Sequence, residues 1–551
     1  MNSQSQWHFA NVWENVAKTV PDAPAIVTGT KRLTWREYEA RAAKIASVYG
    51  AHGLKAGAKI SIYSYNSAEY LEAQFGAFKA RMTTVNVNYR YLETELAHVI
   101  TNSDSEAVVY QASFAPRLAA IRDQLPMVKL FLEIDDGSGE HLNGAVRYED
   151  ALEAAEPMPV IERSPDDLYL MYTGGTTGLP KGVMYDHRTL CENLLFRSLK
   201  MFQIDPPESH DDIPHIVNIM KGAGLTSNAM PGCPLMHGTG MWIGVLIPHS
   251  FGGCTTLFDN RSFDPDVMLG MIEKEGVKET VIVGDVFAKP LVKAIENAKA
   301  RGKPYDLSSL KVIHSSGVMW SMESKQALLD HIEVMILDSI GSSEGTMGSS
   351  VITRESIKGY KTGQFNRLET TKIFTEDGRE VQPGSEETGL VHAAGMVPLG
   401  YYKDEAKSAA TFKTIDGIRY SIPGDFAKVD ADGSIILLGR GSMCINSGGE
   451  KIYPEEVEEV MKQHPAINDC LIVGVPDERF GQSVTAVYSV NEGAAATGDE
   501  LKLHVRGLLA DYKAPRSYIP APDVPRVANG KADYKAALNM AKQALGIKDT
   551  A

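Results

Sequence analysis

The chain has 551 residues, of which 43% are apolar and 23% charged, and carries a formal net charge of −15. Its length exceeds what one hydrophobic core normally serves, so at least two domains are expected, in an ordinary folded soluble protein. The acidic balance argues against a general nucleic-acid binder, no apolar run approaches a bilayer span, and the amino terminus MNSQSQWHFANVWENV lacks the basic and apolar halves of a signal peptide.

A cytoplasmic location is the expectation. Cys191, Cys233, Cys254, Cys444 and Cys470 are scattered without CxxC spacing, which points to buried thiols rather than a disulfide framework or a zinc site. From about residue 60 short apolar runs alternate with helix-like stretches: KISIYS, EYLEAQFGAFKA, TTVNVN, a helix from Glu93, then AVVY. That alternation predicts βαβ units and a parallel sheet. It returns with VIVG (281–284), a helix over Val286 to Ala300, KVIH (311–314), a helix near Ser324 to His331, and VMIL (334–337). Two βαβ-rich lobes sharing one large unit are expected.

Between these lobes the apolar run Leu168 to Met171 leads into YTGGTTGLPKG (172–182), which packs four glycines, three threonines and one lysine into eleven residues. Glycines let backbone N–H groups turn toward an anion, the hydroxyls of Thr173, Thr176 and Thr177 add donors, and Lys181 supplies a mobile positive charge. Leu179 and Pro180 separate Gly178 from Lys181, so this is a phosphate loop without Walker A spacing. Open α/β sheets place ligands beyond the carboxyl ends of their strands. The loops at 172–182, 315–318 and 338–345 all follow predicted strands and are expected to converge on one crevice.

The character changes after Arg440. Tyr453 to Met461 starts with Pro454, has Glu455 and Glu456 in its first turn, and sets Val457, Val460 and Met461 on one face, as an amphipathic helix should. LIVGV (471–475) and the alternating VTAVYSV (484–490) read as strands, followed by a polar loop and two helices. The domains expected are therefore 1–440 and a small α+β domain, 441–551.

Read in order, the chain offers the loop around Lys181, SSG (315–317), DSIGSSEG (338–345), IPGD ending at Asp425, GR at Arg440, SGGEKIYPEE from Ser447, and PRVANGKAD around Lys531. This ordered set resembles the adenylate-forming superfamily of acyl-CoA synthetases, aryl-CoA ligases, luciferase-like enzymes and peptide-synthetase adenylation domains. The likeness spans nearly the whole chain, including VNVNYRYLETELAHVI near Asn88. It implies an α/β fold with parallel-rich sheets, helices and a small β-barrel part in the large domain, and a mobile C-terminal lid. The activity implied is that of an AMP-forming acid–thiol ligase using ATP, Mg²⁺ and coenzyme A.

The resemblance also implies residue roles. Thr173, Gly174, Gly175, Thr176, Thr177 and Lys181 would hold the phosphates. Ser316, Gly317, Asp338, Ser339, Ile340, Gly341 and Ser343 would border the nucleotide, with Asp338 meeting the adenine amino group. Glu344 would hold Mg²⁺, Asp425 would accept from both ribose hydroxyls, and Arg440 would reach ribose or phosphate. Lys531 would be the catalytic lysine bridging the carboxylate and the α-phosphate, Gly448 and Gly449 would line a pantetheine tunnel, and Ser442 would be the hinge. Three positions depart from the family pattern. Gly174 replaces a serine, Ile340 stands where a tyrosine would stack on adenine, and Ser442 stands where Asp or Lys is common.

The acyl pocket implied lies beside PLMHGTGMW, where Met236, Met241, Trp242, Val318, Met319 and Met347 form an apolar wall. His237 borders it, either as a packed core histidine or as a gate. No aspartate is present there to meet an ammonium group, so apolar acids are favoured over amino acids, and the extra stretch HIVNIMKGAGLTSNAM is similar to that of fatty-acyl and steroid-side-chain CoA synthetases. Three alternatives stay open: loading of a carrier protein, a luciferase-like oxygenation, and a non-catalytic nucleotide-binding relative. The partners implied are small molecules, with no nucleic acid. A homodimer and a lysine acetyltransferase acting at Lys531 also occur among relatives, and nothing in the residues decides either.

Overall fold

The computed structural model describes residues 7–173, 179–258, 260–318, 320–447, 450–477, 481–509, 511–527 and 530–547. Five strands, Lys59–Tyr63, Thr83–Asn86, Ser105–Gln111, Leu130–Ile134 and Val146–Arg147, form an all-parallel sheet. The helix Ala68–Lys79 behind it is buried along its whole length, including Glu72 and Lys79. Such a helix must pair its charges. Lys79 Nζ donates to Glu14 at 2.6 Å, and Arg163 donates to the same carboxylate at 2.8 and 2.9 Å. A buried carboxylate with two cations resists removal of any one partner.

The second lobe centres on a large sheet with a parallel half and an antiparallel half. Pro24–Val27, Cys254–Thr256, Asn228–Pro231, Glu279–Ile282, Val312–Ser316 and Met335–Ser342 run parallel. The sheet then turns antiparallel through Gly345–Ile352, Gln364–Arg367, Ile435–Arg440 and Asp425–Val429. The small barrel implied by the resemblance corresponds to this antiparallel meander, which continues the large sheet instead of standing apart. Its core is Ile340, Met347, Phe365, Ile373 and Val391 with their neighbours.

Two local expectations are corrected here. The loop 172–182, expected beyond a strand of an open parallel-rich sheet, instead belongs to an antiparallel pair. Leu168–Thr173 and Lys181–Asp186 form an antiparallel hairpin, with Thr173 opposite Lys181, and Gly400–Tyr401 completes a separate three-stranded sheet. The stretch 338–345 is likewise mostly strand. Met335–Ser342 continues past Leu337 and pairs with Gly345–Ile352 as far as Ser342 opposite Gly345, because alternating burial carries the strand on through Asp338 and Ile340.

In chain order the last strand of the large sheet is Ile435–Arg440, and the next sheet begins with Ile445–Ser447. Helix Pro454–Lys462 packs Val457, Val460 and Met461 onto the long hairpin Ile467–Asp477 and Gly481–Val490. The hairpin's other face takes helix Tyr534–Ala544. A strand at Ser517–Pro520, not expected from sequence, adds in parallel to this sheet.

Candidate nucleotide and acyl site

Thr173 and Lys181 end up side by side because they are cross-strand partners at the mouth of the hairpin. Asn86 fixes that hairpin from the neighbouring sheet. Its amide oxygen accepts from Tyr172 N–H at 2.7 Å, while its amide nitrogen donates to the carbonyls of Tyr172 at 2.8 Å and Met236 at 2.6 Å. One side chain thus ties the hairpin Leu168–Thr173 and Lys181–Asp186 to the PLMHG segment. Lys181 Nζ lies 2.7 Å from Asp404 Oδ2, and this ammonium is the main reason the Asp404 carboxyl sits below its usual range.

Glu344 occupies the turn between Met335–Ser342 and Gly345–Ile352. Tyr401 Oη donates to Glu344 Oε1 at 2.8 Å, and Tyr185 Oη donates to the carbonyl of Ser343 at 3.0 Å. Burial pushes the Tyr185 phenol well up, with the Glu344 charge a further cause, so it remains a neutral donor. Lys181 and Glu344 are therefore gathered through the segment 401–404, which joins the hairpin sheet to the large sheet. Glu344 is a suitable single protein ligand for Mg²⁺, which keeps several waters and takes its remaining oxygens from substrate phosphates. Among the described residues no group of three or more His, Cys, Asp or Glu side chains could hold a metal ion without such help.

Ser316 ends the strand Val312–Ser316 opposite Ser339, and Gly317 follows at φ +93°, a conformation that favours glycine. Asp425 and Arg440 are cross-strand partners, and Gly424 precedes Asp425 at φ +101°. The ribose pair expected from sequence is thus brought to one end of adjacent strands. Gly174, Gly175, Thr176, Thr177, Met319, Gly448 and Gly449 lie outside the described residues, as do the side chains of Arg440 and Ser442.

Three assignments are corrected. The Asp338 carboxylate is not open to adenine: it is buried at 2.6 Å from Lys325 Nζ, itself buried, on helix Met322–His331. Burial pushes the Asp338 pKa up, and the Lys325 ammonium opposes that shift. Ile340 and Met347 are interior members of the antiparallel core, so Ile340 offers no exposed platform for a base. Met347 packs with Phe365 and Ile373, apart from Met241 and Trp242, which belong to the core of the first lobe. Trp242 donates its indole N–H to Tyr169 Oη at 3.1 Å, and a π-helix over Thr239–Leu246 carries both Met241 and Trp242. Met236 is buried, and Val318 is half-buried.

The small domain reaches this site. Burial holds His237 down to about 4, and the charges of Lys531 and Arg90 add to the shift, so Lys531 lies within electrostatic range of the PLMHG segment. Its loop is a tight turn: Gly530 N–H donates to Val527 O at 2.8 Å, and Val527 N–H to Lys531 O at 2.9 Å. Arg526 anchors that turn through paired bonds to Asp469 at 2.7 and 2.8 Å and a third to Gly530 O at 3.0 Å. Across the seam Lys289 Nζ donates to Asn468 O at 3.0 Å, and a Cβ at residue 530 would stand 3.1 Å from Val286. Sequence reasoning missed Asn86, Tyr185, Tyr401, Asp404 and Arg526. Only Asp404 carried a local signal, as the N-cap before helix Glu405–Thr411.

Comparison with known proteins shows the family. The family model described as AMP-binding enzyme matches residues 13–402, and that for the AMP-binding enzyme C-terminal domain matches 456–531. The chain is 38% identical over 539 residues to a 3-oxocholest-4-en-26-oate–CoA ligase of Rhodococcus rhodochrous, covering 96% of this chain and 95% of that one. It is 39% identical over 545 residues to a medium/long-chain-fatty-acid–CoA/3-oxocholest-4-en-26-oate–CoA ligase of Mycolicibacterium smegmatis, covering 97% of each. An anthranilate CoA ligase solved with anthranoyl-AMP shares the fold, with TM-score 0.84 at 21% identity and 98% of each chain covered. With both domains matched in order and full-length relatives at this identity, the chain belongs to the AMP-binding enzyme family.

Proposed function

We propose that this protein is an ATP-dependent, AMP-forming carboxylic acid:CoA ligase. In the first step an acid oxygen attacks the α-phosphorus of ATP, forming an acyl-adenylate and releasing pyrophosphate. In the second, the thiol of coenzyme A attacks the acyl carbon, AMP leaves, and a thioester forms. The observation that carries the reading is convergence: the hairpin that presents Lys181 is tied through Asn86 to the acyl-pocket segment at Met236, and the segment whose Asp404 receives Lys181 also holds Glu344 through Tyr401.

Each residue has a task in this scheme. The hairpin 173–181 holds the phosphates, with Lys181 exchanging Asp404 for triphosphate oxygens. Asp425 and Arg440 hold the ribose and its phosphate side. Lys531 brings positive charge to the acid carboxylate and α-phosphate as two anions are forced together, where preplaced charge counts most. Mg²⁺ held at Glu344 would supply Lewis-acid neutralisation of the departing pyrophosphate. Burial keeps His237 neutral, so it adds no second cation beside the one that Lys531 would bring to the acid. An apolar acid suits Met236, Met241 and Trp242. The relatives' acids, medium- or long-chain fatty acids and a steroid side-chain carboxylate, support that class, and a cytoplasmic setting fits such substrates.

The test is pyrophosphate release across a panel of fatty, aromatic and sterol-derived acids, with CoA and a phosphopantetheinyl carrier protein offered separately. Acid-dependent pyrophosphate and an acyl-CoA product are expected. ADP as the nucleotide product, or transfer to the carrier alone, refutes the assignment.

A further inference from the structure

Tyr401 stands between the two charged residues assigned to the nucleotide. Its hydroxyl donates to Glu344 Oε1 at 2.8 Å, and the Lys181 ammonium lies 5.9 Å from its ring centroid. Both ends of the residue are fixed. The ring is buried against Phe412, with centroids 5.3 Å apart, and the backbone N–H donates to Ser408 Oγ at 2.8 Å. Ser408 in turn donates to the carbonyl of Asp404 at 2.7 Å, the residue whose carboxylate receives Lys181.

Glu344 lies on a two-residue turn, and its side chain has three rotatable bonds to order. Leaving it disordered would forfeit preorganisation, and fixing it with a lysine would cancel the charge that a cation needs. A neutral phenol orients the carboxylate without neutralising it. Tyr185, held neutral by burial, does the same for the backbone by donating to Ser343 O. We propose that Tyr401 is the positioning residue for the metal–nucleotide complex, fixing Oε1 of Glu344 so that the carboxylate meets the cation already oriented. This rests on the reading of Glu344 as the metal-holding acid.

The experiment uses the full-length protein and measures ATP binding by calorimetry with Mg²⁺ and with EDTA, for the wild type, Tyr401→Phe and Glu344→Gln. Phenylalanine keeps the ring and its packing on Phe412. In Tyr401→Phe the Mg²⁺-dependent gain in ATP affinity should shrink about tenfold, because the carboxylate must then be ordered as the cation binds. Affinity in EDTA and KM for the acid should stay at wild-type values. Retention of the full gain by Tyr401→Phe, with its loss in Glu344→Gln, overturns the role of Tyr401 alone. Equal weakening of ATP binding with and without Mg²⁺ in Tyr401→Phe overturns it too, in favour of simple packing. Retention of the gain by Glu344→Gln overturns the assignment of Glu344 and the role of Tyr401 with it.

Discussion

Asn86→Asp is the sharpest probe of how the hairpin is held. The substitution preserves size and the acceptor for Tyr172 N–H, but removes both donors and sets a carboxylate against the carbonyls of Tyr172 and Met236, which now sit 2.8 and 2.6 Å from the amide nitrogen. Tyr172 and Met236 are each only 3% exposed, so water cannot readily replace the lost donors. Two buried carbonyls left without partners cost about 2–4 kcal/mol together, since each lost bond is worth about 1–2 kcal/mol in such a setting. In a large domain this corresponds to an apparent melting-temperature drop of about 4–8 °C. Because Tyr172 directly precedes Thr173, the KM for ATP should rise as well. The pH dependence has a definite sign. Carbonyl neighbours raise the new carboxyl's folded pKa above about 3.9, so the folded variant holds its proton longer than the unfolded chain, and stability falls as pH rises through the folded pKa. Differential scanning fluorimetry at about pH 5 and pH 8 should find the larger deficit at the higher pH. Wild-type melting and ATP KM at about pH 8 would refute the reasoning.

Two further perturbations address the turn and the domain seam. A Cβ at Gly341 would stand 2.8 Å from the carbonyl oxygen of Gly345 and 3.2 Å from Thr346 Cα, backbone that can yield only by moving the turn that carries Glu344. Gly341→Ala should therefore slow pyrophosphate release about ten- to a hundredfold while leaving the acid KM in place, and an unchanged rate contradicts the placement of Glu344. At the seam, Glu459 of the lid shares a cavity of about 300 Å³ with Thr362, Asp285, Lys289, Glu323, Lys361 and Lys462. Burial is the largest cause of its raised pKa, the Asp285 charge adds to it, and Thr362, Lys462 and Lys325 oppose it. To the extent that docking supplies this burial, docking takes up a proton, and the docked lid is favoured below the raised pKa and weakened as pH rises through it. Interdomain fluorescence transfer between about pH 5 and pH 8 should show the wild-type lid opening with rising pH and Glu459→Gln staying docked; identical pH responses in both would remove Glu459 from the seam's control.

The residues legible in the sequence share one property. Lys181, Glu344, Asp425 and Lys531 are charged side chains in or beside glycine-containing turns, where chain chemistry is local and a charged group among glycines stands out. The alternating apolar runs likewise placed the parallel strands and the helix from Pro454, because periodicity is a local signal. What sequence could not supply was register. Asp338 is a polar residue near a strand end and looks accessible, but its partner Lys325 projects from the helix that crosses the sheet thirteen positions earlier. Ile340 stands where a base-stacking ring is expected, yet the strand's antiparallel pairing with Gly345–Ile352 turns it into the interior with Phe365 and Ile373.

Asn86 and Tyr401 make the same point from the other direction. Asn86 reads as one polar residue in TTVNVN, and Tyr401 as one of two adjacent tyrosines in GYYKDE; neither sits in a glycine-rich turn. Each acts across sheets, over 86 and 150 residues for Asn86 and 57 for Tyr401. A loop rich in glycine can adopt many shapes, so the groups that select one shape must be rigid and lie elsewhere. Here they are an amide on a buried parallel strand and a phenol packed on a helix-capped segment. The charged residues carry the chemistry proposed for the site, and these neutral donors, invisible to local pattern, fix the backbone and side chains around them.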